Sequence, residues 1–473
     1  MVKKPKSLHF VGIAGIGMSG VAQAAASLGI RVTGSDRAIH APENNKILDS
    51  LRKQGIVLYE QDGSVYKDYT PEMLVFSTAV EEGNPDFRAD VARLHRSEAV
   101  TMLVEGMKNK KLHAVAGTCG KTTVSGWLTA ALSHLSADPV SLCGGLMNDF
   151  CDEIYCGNFR DGSGDAFVLE ADESDKSLLN YTPDSAILLN IGEDHYSREE
   201  VAEVFATFLK KVKGPCVIED RAFLEIGAER LEGCQIYLVS SDPAAPAEIS
   251  GYPVRKLQDV SIKRGGFFCT FSGIGEEFQL PVPGVHSAIN ALAVFTLLIA
   301  LGYDEQVAFH AIQKFSGVWR RFDSCGMLST GAKIFDDYAH NPDKIRSAVL
   351  TAQAIAGDGH VHVLFQPHGF KPMRMMREEL FTILEETLRP GDDFSFLPVF
   401  YAGGTTSFSP TSEEVVADYN TRTKREEKYG YYAARPDAKI ALENRSCNED
   451  LLLILGARDN SLSLWAKELG GSI

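Results

Sequence analysis

Apolar positions in this chain fall into short unbroken runs, most of them followed by a stretch with helical periodicity. Leu8-His9-Phe10-Val11-Gly12-Ile13 predicts a strand that enters Gly15-Ile16-Gly17-Met18-Ser19-Gly20 and an Ala-rich helix ending near Leu28. Ile30 to Gly34 and Met73 to Phe76 predict further strands. Leu112 to Ala116 reads as a strand, and the residues after it carry Val124, Trp127, Leu128, Ala131, Leu132 and Leu135 on one helical face. Ala166 to Leu169, Ser185 to Ile191, Ala332 to Phe335, His360 to Phe365 and Leu451 to Leu455 complete the set of core strands. Alternating strands and helices predict parallel sheets covered on both faces, an α/β fold.

At 473 residues the chain exceeds what one core supports. The pattern divides into a Rossmann-like segment over residues 1–107, a P-loop ATPase-like segment over 108–322 and a second Rossmann-like α/β segment over 323–473. Residues 402–438 are poor in large aliphatics and are expected to be loops and exposed surface, with Lys424-Arg425-Glu426-Glu427-Lys428 a solvated helix face.

Charge narrows the possible partners. A formal net charge of −16 argues against nucleic acid as the main partner but leaves nucleotides open, since a phosphate site needs only local positive potential. No apolar run approaches the roughly 20 residues that span a bilayer, so no membrane partner is expected. The start, Met-Val-Lys-Lys-Pro-Lys-Ser, has no apolar signal core, and the nine cysteines are scattered without Cys-x-x-Cys spacing. These features predict a cytoplasmic protein with reduced thiols.

The segment Gly117-Thr118-Cys119-Gly120-Lys121-Thr122-Thr123 sits between the strand at Leu112 and the helix after it. Unsatisfied N–H groups at such a helix start attract phosphate, Lys121 adds a full charge, and the Thr122 hydroxyl suits Mg²⁺. The usual first glycine of this loop falls on Val115, so the loop is a shortened variant with Gly117 at its turn. A nucleoside triphosphate is the expected ligand. Two further strands end in acids: Glu170-Ala171-Asp172-Glu173-Ser174-Asp175 and Glu193-Asp194-His195. Glu170, His195 and Thr122 make a plausible Mg²⁺ set on that rim, with Asp172 and Asp175 read as orienting loops.

The first glycine loop, with Asp36 after the second strand, matches the dinucleotide fingerprint. Its pyrophosphate could belong to NAD(P) or to a nucleotide-diphosphate substrate; the physics is the same. Ser77 and Thr78 end another strand of that segment, where ligands of parallel sheets bind. His286 and Asn290 share a helical face, the pair Arg320-Arg321 suits a transferring phosphoryl group, and Asn341 caps a helix opened by Pro342.

Gly117 to Thr123, Glu170 to Asp175, Asn190 to His195, Arg320-Arg321-Phe322 and Asp337 to Pro342 together resemble the Mur ligases, ATP-dependent amino-acid ligases of peptidoglycan precursor synthesis. The resemblance spans all three segments, and the opening His9 to Gly20 and the Glu170 to Asp175 string look most like the alanine-adding branch. It implies that ATP is held by Gly117, Thr118, Cys119, Gly120, Lys121, Thr122, Thr123, Asn290, Arg321, Asp337, His340 and Asn341. Mg²⁺ would be held by Thr122, Glu170 and His195. Gly15, Ile16, Gly17, Met18, Ser19, Asp36, Ser77, Thr78 and Glu173 would hold UDP-N-acetylmuramate, whose carboxylate is joined to an amino acid. Lys121, Glu170, His195 and Arg321 would be catalytic, and the protein a monomer or homodimer. Departures from the pattern are Ser287 for Asn, Cys119 for His, and His368-Gly369-Phe370 where the alanine-adding branch has His-Arg-Tyr. The competing readings are a murein-recycling ligase that adds a preformed peptide, an NAD(P)-dependent oxidoreductase and a non-catalytic ATP-binding regulator.

Overall fold

The computed structural model describes residues 4–192, 196–263, 266–401 and 408–471. Three sheets organise the described residues. The first contains β1 (Ser7–Val11), β2 (Arg31–Asp36), β3 (Val57–Glu60), β4 (Met73–Phe76) and β5 (Ala92–His95), in the order β3-β2-β1-β4-β5. All its pairings are parallel. The order reverses at β1, so the loops leaving β1 and β4 diverge and open a crevice at their carboxyl ends.

The central sheet carries β6 (Lys111–Ala116), β7 (Val140–Leu142), β8 (Phe159–Arg160), β9 (Ala166–Glu170), β10 (Ser185–Leu188), β11 (Pro215–Glu219), β12 (Gln235–Ser240), β13 (Glu248–Ile249), β14 (Tyr252–Lys263), β15 (Gly266–Phe271) and β16 (Glu277–Gln279). Its path runs β16-β15-β14-β12-β11-β10-β6-β9-β7-β8, with β13 paired to β14. β6 therefore lies between β10 and β9, parallel to both. The helix Lys121–His134 covers this sheet and buries Trp127 completely; the indole N–H donates to the Ile312 carbonyl at 2.7 Å and the ring stacks on Phe315.

The third sheet contains β17 (Asp323–Met327), β18 (Lys333–Asp337), β19 (Val361–Gln366), β20 (Asp393–Phe396), β21 (Gly430–Tyr431) and β22 (Leu451–Gly456) in the order β17-β18-β22-β19-β20-β21. Among the described residues of this sheet, β17 and β18 pair antiparallel and the other neighbours pair parallel.

The chain divides into two compact units: the first carries the first two sheets, and the second carries the third sheet from Trp319 onward. Inside the first unit the two sheets are joined through Asn158, which is fully buried. Its side chain donates to the Ile16 carbonyl and the Ser19 hydroxyl and accepts from Gln23.

The expectation for residues 402–438 is corrected in its described part. Ser412–Arg422 and Arg435–Arg445 are helices, the first opened by a Thr411–Glu414 capping box. Lys424–Lys428 follows the first helix instead of forming its face. Arg425 is half-buried and donates to the Leu388, Arg389 and Asp392 carbonyls. These carbonyls end a helix and its connecting turn, and a guanidinium satisfies several at once.

Candidate active site

The turn after β6 brings the phosphate-loop residues together. Gly117 has φ of 139°, and a Cβ there would meet Leu189 and the Asn190 backbone at 3.1–3.3 Å; Gly120 caps the helix at φ 86°. Glycine is required at both positions by backbone conformation, and at Gly117 also by close approach. Because β9 and β10 flank β6, their carboxyl ends deliver Glu170 and Asn190 to either side of the loop. Asn190 accepts from the Thr118 hydroxyl and the Cys119 N–H, both at 2.8 Å, and donates to the Cys119 carbonyl at 3.0 Å. Thr122 donates to one Glu170 oxygen at 2.9 Å, and the Gly144 N–H donates to the other at 2.7 Å. Thr123 is half-buried on the next helical position. Asn290 is buried, and its amide oxygen lies 3.5 Å from where a Cβ on Gly120 would stand. His195 lies outside the described residues.

Lys121 donates to the Gly117 carbonyl and to Glu173, both at 2.7 Å. Glu173, expected with the sugar substrate, is therefore placed at the phosphate loop, as the counterion of Lys121. Burial by itself would lower the Lys121 pKa, but the Glu173, Asp172 and Glu170 carboxylates together raise it above the ordinary value. A buried ammonium needs a negative partner, and Glu173 supplies it at 2.7 Å.

In the first sheet, Gly12 turns the chain at φ 79°, and the Gly12 and Ile13 N–H groups both donate to the Ser35 carbonyl. Asp36 accepts from the Ala14 and Ala38 N–H groups at 2.9 and 2.8 Å, so it fixes the loop on which Gly15, Ile16 and Gly17 are left accessible. Met18 and Ser19 are buried, and the Ser19 hydroxyl is engaged by the Gly15 carbonyl and Asn158. Ser77 and Thr78 follow β4 on the neighbouring strand end. The sequence reading missed Arg96. A Cβ on Gly17 would stand 2.5 Å from its guanidinium, which also lies 3.8 Å from Asp172. The signal available was the absence of any side chain at Gly17, which admits a cation at a helix start.

The second unit assembles its own set of groups at the carboxyl ends of β18, β22 and β19. Asp337 accepts from the Phe322 and Ala339 N–H groups, both at 2.7 Å, and the Arg321 guanidinium lies 5.5 Å from the Tyr338 ring centre. Arg320 and Phe322 adopt φ of 59° and 51°, conformations rare for such residues. Asn341 caps the helix Pro342–Ala356 by accepting from the Lys344 N–H, so its side-chain oxygen is committed locally. His340 donates from Nδ1 to the Tyr338 carbonyl at 2.8 Å, so Nδ1 carries the proton. Its ring meets His368 edge-on at 5.0 Å. Burial lowers both imidazoles to about 4, with Lys344 adding to the effect at His340 and Arg458 at His368.

The sign of the resulting pH dependence follows from linkage. The unfolded chain protonates these histidines near pH 6.5, and the folded unit only near 4. Their contribution to stability is present above pH 6.5 and is lost as pH falls toward 4. His368→Gln is expected to flatten the acid limb of the melting-temperature profile between pH 6.5 and 4 relative to the parent. An unchanged limb would show that His368 titrates normally.

Comparison with known proteins fits this geometry. Residues 7–111 match the model described as Mur ligase family, catalytic domain; residues 115–298 match Mur ligase middle domain; and residues 320–458 match Mur ligase, glutamate ligase domain. The UDP-N-acetylmuramate–L-alanine ligase of Azorhizobium caulinodans is 33% identical over 99% of this chain and 97% of its own. Among solved structures, the UDP-N-acetylmuramate-alanine ligase of Thermotoga maritima is similar with a TM-score of 0.77 at 26% identity, covering 98% of both chains. A murein peptide ligase from Psychrobacter arcticus shares the fold, with a TM-score of 0.66 at 21% identity over 99% of both chains. With three family models in sequence and whole-length relatives above 30% identity, the chain belongs to the Mur ligase family.

Proposed function

We propose that this chain is an ATP-dependent ligase that joins the carboxylate of UDP-N-acetylmuramate to L-alanine in peptidoglycan precursor synthesis. The observation that carries the reading is the grouping of Lys121, Thr122 and Glu170 on one rim of the central sheet in a member of this family. Whole-length likeness to alanine-adding relatives supports the amino acid. The recycling ligase and the oxidoreductase are not favoured: the first is represented here by likeness of fold alone, and the second leaves the phosphate loop without a purpose.

Thr122 and Glu170 offer hard oxygen donors 2.9 Å apart. Among the described residues no group of three acidic, histidine or cysteine side chains could hold a metal. The pair fits Mg²⁺, which binds through one or two protein oxygens and keeps waters and substrate phosphates. When bound it supplies charge neutralisation at the terminal phosphates.

The substrate carboxylate attacks the γ-phosphorus of ATP; the bond to ADP breaks, and an acyl phosphate forms. The amine of the amino acid then attacks that acyl carbon, and phosphate leaves as the amide forms. Lys121 offsets the repulsion between carboxylate and triphosphate in the first step. Asn190 holds the loop backbone in the conformation that aims its N–H groups. Gly15, Ile16 and Gly17 lie accessible at a helix start, where N–H groups suit the UDP diphosphate, and Arg96 adds a cation there. We place the enzyme in the cytoplasm, where both nucleotides are found.

The test is ADP release measured with UDP-N-acetylmuramate, ATP and Mg²⁺ across a panel of amino acids. L-Alanine should give the highest kcat/KM. Turnover only with a preformed peptide would replace this reading by the recycling one, and ADP release without any amine would remove the ligase assignment.

A further inference from the structure

Away from the phosphate loop, residues 151–156 form a tight hairpin in which Cys151 and Cys156 stand directly opposite each other in an antiparallel bridge. The bond inside the bridge runs from the Asp152 N–H to the Tyr155 carbonyl at 3.0 Å. The two cysteines thus occupy a non-hydrogen-bonded pair, where Cα atoms lie about 4.5 Å apart and side chains share one face. That separation falls inside the range of about 4.4–6.8 Å spanned by disulfides. Both thiols are free, and the Cys151 thiol reaches across to donate to the Cys156 carbonyl at 2.8 Å.

The hairpin is fixed on every side. Asp152 accepts from the Ile154 and Tyr155 N–H groups, both at 2.7 Å. Ser50 and Lys53 donate to the Ile154 and Glu153 carbonyls. The Cys156 thiol donates to the Asn158 oxygen at 3.1 Å, and the same Asn158 amide holds the Ile16 carbonyl at 2.6 Å and the Ser19 hydroxyl at 2.8 Å. Cys156 is therefore one residue removed from the first turn of the helix that follows the glycine loop.

We propose that Cys151 and Cys156 are a reversible dithiol–disulfide pair whose closure loosens the glycine loop that binds the UDP-sugar. The oxidant is a low-molecular-weight disulfide. The Cys151 thiolate attacks one of its sulfurs, the S–S bond breaks, and one small thiolate leaves. Cys156 gives its proton to solvent and attacks the Cys151 sulfur of the mixed disulfide, expelling the second thiolate. Two protein thiols are oxidised and one small disulfide is reduced to two thiols. Cys151 is the attacking group because it is half-buried whereas Cys156 is 1% exposed. Once its sulfur is bonded to Cys151, Cys156 has no proton to donate to Asn158, and the hold of Asn158 on Ile16 and Ser19 weakens.

The effect on binding rests on the proposed function; the chemistry of the pair does not. The full chain is incubated in glutathione buffers from reduced to oxidised, then mapped by peptide mass spectrometry, hydrogen exchange and UDP-N-acetylmuramate titration. A Cys151–Cys156 linkage, faster exchange over residues 15–20 and an affinity for the UDP-sugar lower by about fivefold are expected. Dithiothreitol should reverse all three, and Cys151→Ser should abolish them. Absence of the linkage under buffers that glutathionylate the exposed Cys119, or an unchanged exchange rate after linkage, overturns the inference. If the reduced protein binds no uridine nucleotide, the substrate reading fails, while linkage and exchange still decide the inference.

Discussion

Lys121→Ala should lower kcat by about a thousandfold or more while leaving UDP-N-acetylmuramate affinity within about twofold of the parent. The first figure follows from removing a full charge at the point where negative charge gathers in the transition state, where even one neutral donor is worth about 10²–10³. The second follows from the sheets: Lys121 opens a helix on the central sheet, whereas the glycine loop leaves β1 of the first sheet. The lysine is paired with Glu173 and the Gly117 carbonyl, and an alanine leaves the buried Glu173 carboxylate without its counterion, which costs stability. The double variant Lys121→Ala/Glu173→Gln therefore should recover stability without recovering turnover. Steady-state ADP release together with calorimetric titration of the UDP-sugar checks both halves. Turnover within tenfold of the parent would remove Lys121 from the chemistry.

The largest effect on stability belongs to a residue with no expected structural role. Arg320 is 1% exposed. It donates to Asp336 at 3.1 Å and to the Asp459 and Gly456 carbonyls, so it ties the start of the third segment to the end of β22. Asp336 is fully buried; burial pushes its carboxyl pKa up, and Arg320 opposes that shift. Asp336→Leu would leave a buried guanidinium without its counterion, a loss of about 3–5 kcal/mol. For a unit of this size that corresponds to a fall of roughly 10–15 °C in its melting temperature. Arg320→Leu/Asp336→Leu should regain much of the loss, because replacing both members of a buried pair by apolar groups is far cheaper than removing one. Calorimetry of the two variants decides the matter. A single variant that melts within 3 °C of the parent, or a double variant no better than the single, would show that the pair is not the tie described.

Arg320 and Arg321 show how far adjacent positions of one motif can diverge. As a sequence pair they are equivalent cations suited to a phosphoryl group. In the fold, left-handed backbone at Arg320 turns that side chain into the core and leaves Arg321 beside Tyr338 and Asp337. Glu173 makes the same point. Its place in an acidic run did not reveal that it faces the phosphate-loop lysine, because that meeting depends on β9 lying next to β6. The helix at Ser412–Arg422 was missed for a different reason: few large aliphatics mark it, and its start is set by a capping box.

The chain alone determined the strand–helix alternation, the two glycine loops, and the family they belong to. Those properties reside in periodicities and in residue types a few positions apart, so local sterics and hydrogen bonding fix them. Tertiary structure decided which acid neutralises Lys121, which arginine is buried, that Arg96 comes to stand over Gly17, and that Cys151 and Cys156 face each other behind the glycine loop. Each of these depends on strand order or on how a turn closes, and burial makes an unpaired charge or polar group too costly to leave alone. The partner is then chosen by proximity in the folded chain, which the spacing of residues does not encode.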